Sequence, residues 1–286
     1  IEFSCCDDFG SVDGGAHAAD FLVSQGVDIV VGHYASNAAL GAVRFYAEHA
    51  VPVLLPTATD TSLTLYRNNV FRLCANNNDI VSSLLSLFSP EEAFSFDVFT
   101  DESSYAQNLA NALKNTLASR APQPVVKAAA SNIVFIGTGT RTEMFLQACE
   151  QKEVRGEFIL TDDAACSHLT IPDSMSSGQV RGVGIAPAGL VNPAAPCVRE
   201  YVNRYGEMPG VFFLETIAAL EIVSDLQATS EDFVADLNNC SFATSLGELR
   251  FVRGERQQAA LCLWSNDEAR QLRPVELIKT NRESFK

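Results

Sequence analysis

Short apolar runs alternate along the chain with stretches that repeat at helical spacing. The runs are "IEFSCC" (1–6), "VDIVVG" (27–32), "VPVLLP" (51–56), "FSFDVFT" (94–100), "SNIVFIG" (131–137), "GEFILT" (156–161) and "GQVRGVGIA" (178–186). Apolar runs this short, bounded by turn residues, read as buried strands. Helical period fills 12–25, 37–49, 79–88, 104–119 and 141–151, and returns at 193–205, 210–227 and 230–238. Strand and helix in alternation predict an α/β chain of mostly parallel sheets covered on both faces. No short repeat or low-complexity segment interrupts it. One junction departs from the pattern. "PVV" (124–126) reads as a strand, yet "NIVFIG" follows after only "KAAAS". Parallel neighbours need a crossover of roughly a dozen residues. Either this is an antiparallel hairpin or a helix is absent from the sequence between 126 and 131; the alanine-rich joint, a poor hairpin turn, favours the second.

At 286 residues the chain is long enough for two lobes, each with its own core. Charge narrows the partners: a formal net charge of −15 and a pI near 4.6 argue against nucleic acid and against anionic membrane surfaces. No uninterrupted apolar run is long enough to span a bilayer. The sequence opens inside a strand pattern, "IEFSCCDDFG", so a further strand and helix are expected before Ile1. The cysteines, Cys5, Cys6, Cys74, Cys149, Cys166, Cys197, Cys240 and Cys262, form no CxxC pair, which leaves a zinc site or thioredoxin-like motif without support. Their even number permits disulfides in an oxidising compartment and does not require them.

Candidate chemistry gathers where strands end. In "IVVGHYASNAAL" (29–40) an apolar run reaches Tyr34, Ala35 and then Ser36, which opens a helical pattern. Ser36 is a good N-cap; its hydroxyl and the first-turn N–H groups also make an anion site at the edge where open α/β sheets bind ligands. "VPVLLPTATD" ends the next run in Thr57, Ala58 and Thr59, again small and hydroxylic. Threonines there are ordinary turn residues. Two neighbouring strands ending this way also supply donors for a carboxylate and acceptors for an ammonium group. "VFTDESSYA" places Tyr105 after a third strand, and "ILTDDAA" places Asp162 and Asp163 after another. A strand-end aspartate either anchors an ammonium group or serves as a turn or helix-start carboxylate. No HExxH, GxSxG, GxxxxGK[ST] or GxGxxG pattern occurs, and no catalytic residue, metal or cofactor is expected.

These residues resemble a known family. "CCDDFGSVDGGAHAADFLVSQGVDIVVGHYASNAALGAVRFYAEHAVPVLLPTATDTSLT" is similar to the first lobe of type I periplasmic binding proteins, in the leucine/isoleucine/valine-binding branch. "FRLC", "DESSYAQNLANAL", "NRYGEMPGVFFLETIAAL" and "GELRFVRGER" continue the likeness in order over nearly the whole chain. The resemblance implies two doubly wound lobes joined by three hinge strands: 1–77 with 189–250, and 78–188 with 251–286. It implies that Ser36 and Thr59 bind an α-carboxylate. Thr59, the Thr57 carbonyl and Asp162 (or Asp163) would bind the α-ammonium, with Tyr105 covering the ligand. Three positions depart from the pattern. Ala35 stands where the family has a cysteine, so that disulfide does not carry over. Tyr34 is bulkier than the usual aliphatic residue, which counts against a branched-chain ligand. Thr140, beside Arg141, replaces a second-lobe aromatic and implies a more polar ligand side chain.

The function so implied is an extracytoplasmic solute-binding protein, periplasmic or lipid-anchored. It would bind an amino acid or close analogue and deliver it to the permease and ATPase subunits of an ABC importer. The alternative is a ligand-sensing domain of a receptor or regulator on the same fold. An enzyme is not expected, for want of an activated nucleophile or general base.

Overall fold

The computed structural model describes residues 1–88, 96–119, 132–166 and 168–280, without the side chain of residue 279. Two compact units divide the chain: residues 1–76, 187–259 and 280–286 form the first, and 77–186 with 260–279 form the second. The chain is α/β, as the alternation predicts.

In the first unit the sheet order is β1 (Val30–Val31), β2 (Val53–Leu55), β3 (Val70–Arg72), β10 (Glu255–Arg256), β9 (Gly247–Val252) and β8 (Ser241–Thr244). The first four run parallel, and β9 and β8 add an antiparallel edge. β2 and β3 are buried at every position, as a sheet covered on both faces requires. Alternation then sorts their side chains. Val53 and Leu55 face Ala19 and Leu22 of α1 (Val12–Ser24) and Ala39, Val43 and Tyr46 of α2 (Ser36–Glu48). Leu54 and Phe71 join Ala218, Ile222 and Leu226 of α8 (Phe213–Thr229). α1 and α2 approach until only glycine fits: a Cβ on Gly15 would lie 2.0 Å from the Ala38 carbonyl oxygen, and one on Gly41 2.0 Å from that of Val12.

The second unit orders its strands β12 (Leu272–Lys279), β11 (Ala260–Asn266), β7 (Val180–Ile185), β6 (Glu157–Thr161), β5 (Asn132–Ile136) and β4 (Phe96–Thr100). β7 to β4 are parallel, and β11 and β12 form an antiparallel hairpin beside β7. The helices of this unit include α3 (Asn77–Leu85), α4 (Ser104–Ser119) and α5 (Gly139–Gln151). Phe145 of α5 stacks on Phe135 of β5 at 4.3 Å between ring centres.

One predicted strand does not form. Residues 1–6 are exposed and pair with nothing in the sheet, and β1 pairs only with β2. An apolar run becomes a strand only when a neighbour receives its N–H and C=O groups. β3 and the five strands from 241 onward were not anticipated; β3 and β10 span only two or three residues, and β9 and β12 mix apolar with charged positions. The junction at 124–131 lies outside the described residues.

Candidate functional site

In the first unit, β1 leads through Gly32, His33, Tyr34 and Ala35 into α2. The helix starts one residue earlier than expected. Ala35 occupies the N-cap with no side-chain cap, and Ser36 is the first helical residue. Ser36 is therefore not the cap. Its Oγ instead accepts the Asp60 N–H at 3.3 Å, because the loop after β2 passes within reach and competes for the hydroxyl. The first turn of α2 is left with N–H groups that no side chain satisfies.

The loop after β2 is stitched to this turn. Thr57 Oγ1 donates to the carbonyls of Tyr34 at 2.9 Å and His33 at 3.4 Å. Ala58 and Thr59 are buried behind it. Arg72 of β3, fully buried, donates to the Ala58 carbonyl and to the Asp60 carbonyl at 2.6 Å, and pairs with Glu255 at 3.1 Å. Glu255 also accepts from Thr64 at 2.6 Å and Asn76 at 3.2 Å. A buried guanidinium needs such partners, and here they fix the Thr57–Thr59 turn. Sequence reasoning passed over Arg72. Its signal was an arginine inside the apolar run "FRLC".

His33 was missed as well. It is buried between Asp8, whose carboxylate meets Nδ1 at 2.7 Å, and the Tyr46 hydroxyl, 3.2 Å from Nε2. This fastens the start of the chain and α2 to the end of β1. Burial, with Cys6 and Asp8 nearby, pushes the Tyr46 phenol well above its usual range. Tyr34 points the other way, its ring 66% exposed and edge-on to Phe212 with centres 6.2 Å apart at 79°.

In the second unit Asp101, just past β4, joins two helix starts. It accepts from the Ser103 N–H at 3.0 Å and from the Thr138 N–H and Oγ1 at 2.9 and 3.2 Å. Burial opposes its charge, but these hydrogen bonds outweigh burial and hold the carboxyl below its ordinary value. Tyr105, in the first turn of α4, donates to Asp162 Oδ2 at 3.2 Å. Asp162 follows β6 directly, in the left-handed region at φ +39°. It is 7% exposed, and its Oδ1 has no hydrogen-bond partner. Burial first, and then neighbouring Asp163, push its carboxyl up to about 7, against the bond from Tyr105. The Tyr105 phenol is raised by burial and by both aspartates. Asp163 is half-buried, and a Cβ on Gly139, at the start of α5, would lie 3.8 Å from its carbonyl oxygen. Thr140 lies on that same first turn, exposed.

The predicted residues thus form two groups. Tyr34, Ala35, Ser36, Thr57, Ala58 and Thr59 are linked in the first unit; Tyr105, Asp162 and Asp163 are linked in the second, with Thr140 on the adjoining turn. Among the described residues no disulfide joins the cysteines. Among the described residues no cluster of His, Cys, Asp or Glu is placed to hold a metal ion, and no helix is long and apolar enough to cross a membrane.

Known proteins resemble this chain in sequence and in fold. Residues 1–133 match the family model described as "Periplasmic binding protein". The Leu/Ile/Val-binding protein BraC3 of Rhizobium johnstonii is 30% identical over 122 residues, which cover 41% of this chain. The match spans about a third (32%) of that relative's length. In fold, the chain is similar to the leucine-binding protein LivK of Thermotoga maritima, with a TM-score of 0.81 at 15% identity over 100% of this chain and 89% of that one. It is also similar to an ABC-transporter solute-binding protein of Rhodopseudomonas palustris solved with 3,4-dihydroxybenzoic acid. There the TM-score is 0.75 at 12% identity, over 99% of this chain and 88% of that one. The first 133 residues are thus similar in sequence to periplasmic binding proteins, and the chain is similar in fold to a leucine-binding protein.

Proposed function

We propose that this protein binds an amino acid or close analogue outside the cytoplasm and delivers it to the permease and ATPase of an ABC importer. In this reading the first unit takes the carboxylate through the Ser36 and Thr59 hydroxyls and the uncapped first turn of α2. The second unit takes the ammonium through Asp162, and Tyr105 lies against the bound solute. The observation that carries the reading is Asp162 itself, a carboxylate buried with one oxygen unsatisfied. An orphaned buried acceptor costs about 1–3 kcal/mol, and an ammonium group would relieve that cost. Thermal-shift screening of the full chain against the amino acids tests it. A true ligand at 100 times its Kd stabilises by about 2.7 kcal/mol. If no amino acid raises the midpoint while amine-free acids do, the ammonium site is wrong.

A further inference from the structure

Asp101 has no part in solute binding as read above, yet its carboxylate is used on both sides. Oδ1 accepts the Ser103 N–H at 3.0 Å and the Ser103 hydroxyl at 2.5 Å. Oδ2 accepts the Thr138 N–H at 2.9 Å and the Thr138 hydroxyl at 3.2 Å. Ser103 in turn caps α4, its Oγ accepting the Ala106 N–H at 3.1 Å. Thr138 is the N-cap residue of α5, but its side chain makes no cap bond, because its hydroxyl is turned to Asp101. Helix capping alone does not explain a threonine drawn away from its own helix end. The ties continue beyond Asp101. Tyr105, in the α4 turn that Ser103 caps, donates to Asp162 Oδ2 at 3.2 Å and accepts the Asp163 N–H. α5, which Thr138 begins, packs on the short helical turn Asp162–Ala164. β4, β5 and β6 are neighbours in the sheet, so their three ends close a ring. It runs from Asp101 to Ser103 and Tyr105, on to Asp162 and Asp163, and through α5 to Thr138 and back.

We propose that Asp101 is the positioning residue of the second unit: by tying the starts of α4 and α5 together it aims the Tyr105 hydroxyl at Asp162. What the Tyr105–Asp162 pair binds rests on the reading above, in which Asp162 takes an ammonium group; the tie itself is tested without a solute. A carboxylate accepts on both sides, whereas an amide accepts on one and presents donors on the other. Asp101→Asn therefore keeps one helix start and sets a donor against the N–H of the other. Tyr105 then shifts from Asp162, which loses the bond that favours its ionised form.

NMR titration of the full chain carrying isotope-labelled aspartate reads this directly, the Asp162 signal being the one absent from Asp162→Asn. The titratable groups facing Asp162 are Tyr105 of α4 and Asp163 of its own turn. Tyr105→Phe should raise the Asp162 midpoint by about one pH unit. Asp101→Asn should raise it by about half a unit or more, and the double variant no further than Tyr105→Phe alone. Removing a negative charge would by itself lower the midpoint of a nearby acid, so the direction separates positioning from simple electrostatics. If Asp101→Asn lowers the melting temperature and leaves the Asp162 midpoint in place, Asp101 is only a helix cap and the proposal is overturned. A double variant that shifts by the sum of the two singles overturns it as well. Should Asp101→Asn not fold, Thr138→Val removes one of the two bonds to Oδ2 and should raise the midpoint by a smaller amount; no rise there is equally fatal. Calorimetry near pH 8 with leucine and isocaproate, its amine-free counterpart, addresses the reading above. Asp101→Asn should weaken leucine about threefold or more and isocaproate by less than about twofold. Leucine that binds parent and variant equally while the midpoint moves counts against the ammonium reading and leaves the tie standing. If leucine does not bind the parent, the midpoints alone decide the tie.

Discussion

The strand ends of the two units carry opposite chemistry in opposite states of completion. In the first unit several strand-end polar side chains are partnered within the unit. Thr57 donates to Tyr34 and His33, Asp60 accepts from Ser62, Arg72 spans two carbonyls and Glu255, and His33 lies between Asp8 and Tyr46. The second unit ends β6 in adjacent acids, one buried at a strained φ with an oxygen unsatisfied. A satisfied network holds backbone donors in fixed positions before any solute arrives. An unsatisfied carboxylate instead stores unfavourable free energy that a partner can relieve. The two halves should therefore fail differently when mutated: the first by unfolding, the second by losing its ligand.

The sharpest break of that contrast is Arg72→Met. It takes the guanidinium away from the buried Ala58 and Asp60 carbonyls and the cation away from Glu255, which keeps Thr64 and Asn76 as donors. Removing one partner of a buried ion pair costs about 3–5 kcal/mol. Urea denaturation should show a loss of that order, with ligand affinity falling as the Thr57–Thr59 turn loosens. A loss under about 1 kcal/mol would mean that the turn is held by its own packing.

Asp162→Asn should behave in the reverse way. It preserves shape and removes charge, so affinity for an amino acid should fall by about 1.5–3 kcal/mol while the matching amine-free acid is little affected. Stability should not fall. The sign follows from the pKa: at about 7 in the folded protein, against 3.8 as the ordinary value, Asp162 keeps a proton that the unfolded chain has already released. The stability linked to that proton is complete below the ordinary value and is lost as pH rises through about 7. An ammonium ligand needs the ionised carboxylate. Affinity for an amino acid should therefore climb roughly ten- to hundredfold between about pH 5 and 8 while ligand-free stability declines. Of the groups facing Asp162, Asp163 favours the protonated form, and the bond donated by Tyr105 favours the ionised one. Glu215 in the first unit, also raised to about 7 by burial against the pull of Arg256, adds to the stability slope but not to the affinity slope. Titrating the parent and Asp162→Asn by calorimetry separates the two. An affinity slope that survives in the variant would remove Asp162 from the ammonium role.

Much of this contrast was legible in residue order, and what was not has local causes. The helices α1, α2, α4 and α5 and the parallel strands β1, β2, β5, β6 and β7 follow from period and apolar run length, because burial leaves a clear signal. Asp162 and Tyr105 could be named because strand ends in such sheets are few and each is marked by its turn. Whether Asp162 or Asp163 is the buried one depends on a single backbone torsion, which spacing does not encode. Ser36 was misread as a cap because the competing donor, the Asp60 N–H, is 24 residues away in sequence. Phe212 escaped notice for the same kind of reason: only the fold brings position 212 beside position 34.

The smallest expected effect tests the first unit where it is least self-satisfied. Ser36 Oγ accepts a long bond, 3.3 Å, from Asp60 N–H, and is only half-buried. Replacing it with alanine removes one weak internal contact, so the stability change should stay within about 0.5–1.5 kcal/mol. Its contribution to a carboxylate, a charged acceptor, should be larger, about 1.5–3 kcal/mol. The α2 N–H groups remain in the variant, which keeps the loss toward the lower end. Thr59→Ala, buried, should cost more stability for a similar loss of binding. The informative quantity is the ratio of binding loss to stability loss, measured by calorimetry and urea denaturation on the same preparations. It should exceed one for Ser36→Ala, fall near one for Thr59→Ala, and be far below one for Arg72→Met. If Ser36→Ala lowers stability more than binding, its hydroxyl belongs to the internal stitching of the first unit, and the carboxylate is left to the helix N-terminus alone.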